Sequence, residues 1–147
     1  MKRDIKKEQG FTLIELLIVM VILGLLAALV GPRMFGKVGK SRQKAAKAQI
    51  ALFETTLDTY RLDTSKYPTS EQGLQALRTK PGGVERWDGP YLPKDVPLDP
   101  WGHAYEYRSP GEHGDYDIIS LGADGTAGGE GENEDVVNWK DIGATGQ

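Results

Sequence analysis

The chain has 147 residues, a formal net charge of −3 and no cysteine, which bounds it to one small domain plus one long helix, with no disulfide to support the fold. The charge is split: residues 1–53 carry 10 basic and 3 acidic side chains, net +7, whereas residues 54–147 carry 8 basic and 18 acidic, net −10. An acidic C-terminal region argues against contact with a phosphate backbone, and therefore against a nucleic-acid or DNA-uptake role.

A short charged leader, Met1 to Gln9, precedes Gly10 and a run of 20 residues, Phe11 to Val30, of which 17 are apolar. As a helix the run is about 30 Å long, the thickness of a bilayer's hydrocarbon core. Fourteen of its residues are Leu, Ile, Val or Phe, which together favour insertion by on the order of −6 kcal/mol. Glu15 is the single charge within the run. A carboxylate costs about 3 kcal/mol at a helix centre and less near an end, so insertion prevails, and the charge itself marks a functional site. A cleavable secretory signal would have a shorter apolar region and a small-residue cleavage site after it; this run is too long and no clean A-x-A site follows.

Gly31-Pro32 follows the run, and proline there removes a hydrogen bond and kinks or interrupts the helix. Helical periodicity then resumes. Ala46, Ile50, Phe53, Leu57 and Tyr60 are spaced 4, 3, 4 and 3 apart, which predicts a second helical stretch from about Arg33 to Leu62 with one buried stripe. Its first part carries Arg33, Lys37, Lys40, Arg42, Lys44 and Lys47, read as a solvated face or as a partner for acidic patches of neighbouring subunits or for lipid headgroups. These charges outnumber those of the leader, so charge counting alone does not orient the segment.

Thr69 and Gln72 have capping-box spacing, predicting a short helix over about Glu71 to Arg78, ended by Lys80-Pro81-Gly82-Gly83. Gly89-Pro90 and Asp99-Pro100-Trp101-Gly102 are turns. Ala104 to Ser109 and Asp115 to Leu121 alternate around the turn at Pro110 to Gly114 and predict a hairpin. A third strand is expected near Val136 to Ile142, carrying Trp139, and the resulting small sheet needs the long helix as its second layer. Leu121 to Asp135 is rich in glycine and acid. Such loops suit hard cations such as Ca²⁺, although the EF-hand pattern is absent and composition alone equally describes an acidic turn. His103 and His113 are the two histidines; the latter is expected in or beside the hairpin turn, and no nucleophile motif or phosphate loop supports an enzyme.

Residues 6 to 16, Lys-Lys-Glu-Gln-Gly-Phe-Thr-Leu-Ile-Glu-Leu, resemble the type IV prepilin signal. The segment Tyr67 to Leu74, the turns at Gly89-Pro90-Tyr91-Leu92 and Asp99 to Gly102, and Ser120 to Gly125 followed by Asp135 to Trp139 resemble the major pseudopilins of type II secretion systems. The resemblance implies an α+β, type IV pilin-like fold. Residues 1–10 would be a cleaved leader, 11–31 a transmembrane and polymerisation helix, 32–62 its periplasmic continuation, and 63–147 a small antiparallel sheet domain with a calcium-binding loop. It implies cleavage between Gly10 and Phe11 by a prepilin peptidase and N-methylation of Phe11. It further implies an assembly role for Glu15, Phe11 and Pro32, with Glu15 pairing with the Phe11 ammonium of the next subunit. Structural Ca²⁺ would be held by Asp124 and Asp135, with Leu121, Thr126 and Asn133 as further ligands and Glu132 and Glu134 as more remote ones. The implied product is a homopolymeric periplasmic filament anchored at the inner membrane, working with minor pseudopilins, an assembly platform and its ATPase to export folded proteins. A type IV pilus or competence pilin, and a membrane-anchored binding module that does not polymerise, are the alternatives.

Overall fold

The computed structural model describes residues 9–142; most of the leader and the last five residues lie outside them. The dominant element is one helix, α1, Leu13–Thr64, 52 residues long, with Pro32 inside it. The interruption expected at Gly31-Pro32 therefore does not end the helix. Proline removes one backbone bond, but the turns on both sides are already nucleated, and an apolar run offers no competing partner for the freed backbone groups. The chain divides into two compact units, residues up to Lys37 and residues from Val38 onward, and α1 supplies helix to both.

In the second unit α1 presents the stripe foreseen from its spacing. Ala46, Ile50, Phe53 and Leu57 are fully buried and Tyr60 nearly so. The opposing layer is a three-stranded antiparallel sheet in the order β1-β2-β3: Glu106–Arg108, Asp117–Ser120 and Val136–Val137. Tyr107 pairs with Ile118, and Ile119 with Val137. Ile118 and Ser120, two apart on the central strand, are both fully buried, as the period of a strand requires.

The strands are shorter than their alternation predicts, for identifiable reasons. Ser109 leaves β1 to exchange hydrogen bonds with the Ser70 hydroxyl. Beyond Val137 the Asn138 amide still donates to the Ile118 carbonyl at 3.2 Å, but its side chain replaces its carbonyl: Oδ1 accepts from the Ile118 amide at 2.8 Å and Nδ2 donates to the Tyr116 carbonyl. The carbonyls of Val137, Asn138 and Lys140 turn away from the sheet to accept from the Lys47 ammonium of α1, at 2.6, 3.5 and 2.8 Å.

The Thr69–Gln72 capping box forms, with the Gln72 amide donating to Thr69 Oγ1 and the Thr69 amide to Gln72 Oε1. It caps only one turn. Gly73 adopts φ of +60°, which breaks helical geometry, and the predicted helix reduces to a 3-10 helix, Leu74–Leu77. The irregular segment that follows is fastened by aromatic side chains. Tyr91 packs edge-on against Tyr60 and Trp87, its hydroxyl donates to Asp63 at 2.7 Å, and Trp87 Nε1 donates to the Ala76 carbonyl.

Phe53 links the two layers through an edge-to-face contact with Tyr105 at 5.1 Å. Phe53→Ala removes a fully buried ring from the one seam joining helix and sheet and is expected to cost about 3–5 kcal/mol, measurable as a lowered denaturant midpoint with an unchanged slope.

Candidate functional site

The functional residues read from the sequence fall into two places, one in each unit. In the first unit, Gly10 and Phe11 precede α1 and are exposed, Phe11 by 85%. A Cβ at Gly10 would meet nothing within 4 Å, so the fold itself makes no demand for glycine there. The large apolar residues from Leu13 to Val30 are all exposed, and among the described residues α1 is the one helix long and apolar enough to cross a membrane.

Glu15 is not isolated at the start of this helix. Its Oε2 accepts from the Thr12 amide at 2.9 Å, and its own amide donates to Thr12 Oγ1 at 3.3 Å. This is a reciprocal capping box, and it gives the carboxylate a partner within its own chain. The Thr-x-x-Glu spacing that announces it is present in the sequence beside the more conspicuous anomaly of a charge in an apolar run. A carboxylate in the first turn also opposes the positive end of the helix dipole.

In the second unit, the loop from Leu121 to Asp135 closes between the end of β2 and the start of β3. The Ala123 amide donates to the Glu132 carbonyl at 2.9 Å. The Asn133 carbonyl is wedged between Gly122 and Gly129, where a Cβ would lie 2.9 and 2.6 Å from its oxygen. Side chains at either position would force the loop open, and both residues have φ near +70° to +90°, which favours glycine. Asp124 Oδ1 accepts from the Thr126 amide at 3.1 Å, and Asp135 Oδ2 from the Gly128 amide at 2.8 Å.

The second oxygen of Asp135 is the unusual feature. Oδ1 is buried and has no hydrogen-bond partner. Burial pushes the Asp135 carboxyl above its ordinary range, and the carboxylates of Asp124, Glu106 and Glu134 push it further against the opposing Gly128 amide. Asp135 borders a recess of about 430 Å³ that Leu121, Thr126, Glu106, Glu112 and Asp117 also line. A buried, unpartnered carboxylate oxygen among further carboxylates is costly as it stands and is what a hard cation would satisfy.

The structure thus brings Asp135, Leu121 and Thr126 to one recess, with the Asp124 charge acting on Asp135. Neither Asp124 nor Asn133 is among the residues lining that recess; Asp124 accepts from the Thr126 amide beside it, and the Asn133 backbone closes the loop. The Glu132 side chain lies against α1 at Gly39. Among the described residues no group of three or more His, Cys, Asp or Glu side chains forms a metal cage, so a cation here would rely on backbone carbonyls as well as the two aspartates.

Two supports were not evident from sequence. Asp99, almost fully buried, accepts from the Ser120 hydroxyl at 2.7 Å and from the amides of Trp101 and His103. It ties the Asp99–Gly102 turn to the end of β2. The His103 ring then sets its Nδ1 3.1 Å from the Gly122 carbonyl, which can only accept, so Nδ1 carries the proton. His113, expected in a plain exposed turn, stacks on Trp139 at 3.8 Å and places Nδ1 3.1 Å from Asp117 Oδ2. Burial raises the Asp117 carboxyl, but the His113 side chain and the Glu112 and His113 amides outweigh it and hold the group below its ordinary range.

Comparison with known proteins gives this arrangement a context. Residues 33–139 match the family model described as type II secretion system (T2SS), protein G, and residues 5–31 match the prokaryotic N-terminal methylation motif. The chain is 47% identical over 140 residues to type II secretion system core protein G of Vibrio cholerae serotype O1, covering 93% of this chain and 95% of that one. It is 43% identical to the protein of the same name from Pseudomonas aeruginosa, covering 91% and 96% respectively. Among solved structures, the major pseudopilin from the type 2 secretion system of enterohaemorrhagic Escherichia coli superposes with a TM-score of 0.63 at 39% identity, covering 74% of this chain and 95% of that one. The helix-on-sheet architecture, the glycine-rich closing loop and the methylation motif at the head of α1 thus belong together, and the chain is a member of the type II secretion system protein G family.

Proposed function

We propose that this chain is the major structural subunit of a type II secretion pseudopilus, a periplasmic filament whose growth drives folded proteins across the outer membrane. A prepilin peptidase would cut between Gly10 and Phe11, and the new amino group of Phe11 would be methylated. The first part of α1 would anchor the subunit in the inner membrane with the sheet domain in the periplasm. Minor pseudopilins and an assembly platform with its ATPase would be the working partners. The observation that carries this reading is the head of α1: an apolar helix face left wholly exposed, with one carboxylate held within the matched methylation motif. Exposed apolar surface on this scale requires a lipid or protein cover. A head-to-tail contact, in which Glu15 of one copy meets the Phe11 ammonium of another, does not close and so builds filaments.

Glu15→Leu and Glu15→Gln separate the two roles of this residue, since glutamine preserves a capping box and leucine does not. Both are expected to insert in the membrane as the parent does and to lose filaments and secretion. A charge-assisted bond is worth about 2 kcal/mol, roughly thirtyfold per subunit addition. Normal filaments from Glu15→Gln, counted by electron microscopy, would refute the pairing.

We also propose that the loop holds structural Ca²⁺, through the side chains of Asp124 and Asp135 and the carbonyls of Leu121 and Thr126. Its support is the buried, unpartnered Oδ1 of Asp135. When bound, the cation would supply fixed positive charge between these oxygens, the clamp that a chain without cysteine lacks. Binding only the folded state stabilises it by about 2.7 kcal/mol at a hundredfold excess over Kd, at least about 10 °C in Tm for a domain of this size. Chelation of the full chain in detergent should remove that increment. Asp135→Asn should reverse sign with conditions: no loss, or a small gain, of Tm in chelator, because a buried unpaired charge is gone, and a loss of the whole calcium-dependent rise. Equal melting of the parent protein with and without calcium would defeat the assignment.

A further inference from the structure

The closing arm of the loop is gripped by one face of α1. Gly39, Gln43 and Lys47 lie four residues apart, one above another on a helix. Gly39 is buried, and a Cβ there would overlap the Glu132 carboxylate. Gln43, 5% exposed, donates its Nε2 to the Gly131 carbonyl. Lys47, partly buried, donates to the carbonyls of Val137, Lys140 and Asn138. Asp135 stands between Gly131 and Val137, so the stretch that carries it is tied to the same helix at both ends. The Glu132 carbonyl in turn takes the Ala123 amide, joining the two arms.

From this geometry we infer that Gln43 and Lys47 are positioning residues for the calcium loop: they set its affinity for the cation without touching it, and occupancy is felt in return at residues 39–47 of α1. The inference rests on the calcium reading above. Its physical basis is preorganisation. Freed from Lys47, the arm carrying Asp135 must be ordered at the moment of binding, and that ordering cost is subtracted from affinity. Linkage makes the effect reciprocal, so a cation that fixes the arm also fixes the lysine.

Charge alone predicts the opposite. Removing a lysine from the neighbourhood of a divalent cation lessens repulsion and should tighten binding. The sign of the effect therefore distinguishes the positioning role from simple electrostatics. Lys44, exposed on the helix, supplies the control for lost charge.

The test is calcium titration calorimetry of the full chain in detergent. Lys47→Met should weaken calcium binding by about tenfold or more, in line with the loss of charge-assisted hydrogen bonds. Lys47→Arg, which keeps donors and charge, should recover most of it, and Lys44→Met should stay within about twofold of the parent. Unchanged or tighter binding by Lys47→Met overturns the inference. A second measurement needs no variant. In the parent protein, amine acylation followed by mass spectrometry should modify Lys47 several-fold faster after chelation than in calcium, with Lys44 unaffected. A Lys47 rate indifferent to calcium, in protein shown by calorimetry to bind it, overturns the inference and leaves the calcium site standing. Absence of calcium binding by the parent protein removes both.

Discussion

The second unit depends on the burial of one stripe along one helix. Three strands contributing so few residues cannot enclose a core, and segment 84–98 has no regular structure of its own. Ala46, Ile50, Phe53, Leu57 and Tyr60 provide the surface against which all of these collect. Phe53 and Tyr60 each meet a tyrosine edge-on, from Tyr105 before β1 and from Tyr91 in the irregular segment. The helix thus serves as scaffold for elements far away in sequence, and the sheet serves mainly to hold the ends of loops in register.

Around that seam, polar groups do what additional apolar mass would do in a larger domain. Asp99 collects three donors and anchors the end of β2. Lys47 collects the carbonyls that β3 leaves unpaired. Asn138 continues the ladder with its backbone amide and, in place of its carbonyl, its side chain. Each buried polar group removes an unsatisfied partner elsewhere, and each joins residues widely separated in the chain. Only Asp135 Oδ1, the Tyr105 hydroxyl and the Trp101 indole nitrogen stay without protein partners among the buried side-chain atoms of the described residues. Of these the carboxylate oxygen is by far the most expensive to leave bare.

What sequence conveys here follows from range. The apolar run, the stripe of α1, the Thr69–Gln72 cap and the hairpin are set by neighbours within a few residues, and periodicity reads them. The lengths of the strands are not, because Ser109 ends β1 on a serine thirty-nine residues earlier and Lys47 ends β3 ninety residues ahead of it. The short helix after Thr69 fails for a local reason that spacing hides, the positive φ of Gly73. In the loop, composition suits a cation, and fold geometry distinguishes Asp135 and Thr126, which face one recess, from Asn133, whose role is to brace the backbone. The basic residues of α1 likewise divide only in three dimensions: Lys47 turns inward, whereas Lys40, Arg42 and Lys44 remain exposed.

The capping box at Thr12 and Glu15 alters the economics of waiting. A carboxylate without a partner in an apolar helix is costly. With the Thr12 amide already donating to it, the same group is partly satisfied within its own chain. On the proposed pairing with the Phe11 ammonium of a second copy, recruitment would exchange one donor for a stronger one, with little net charge to create. Under the proposed pairing such an exchange would run in either direction, so the contact that admits a subunit to a filament would also allow its return.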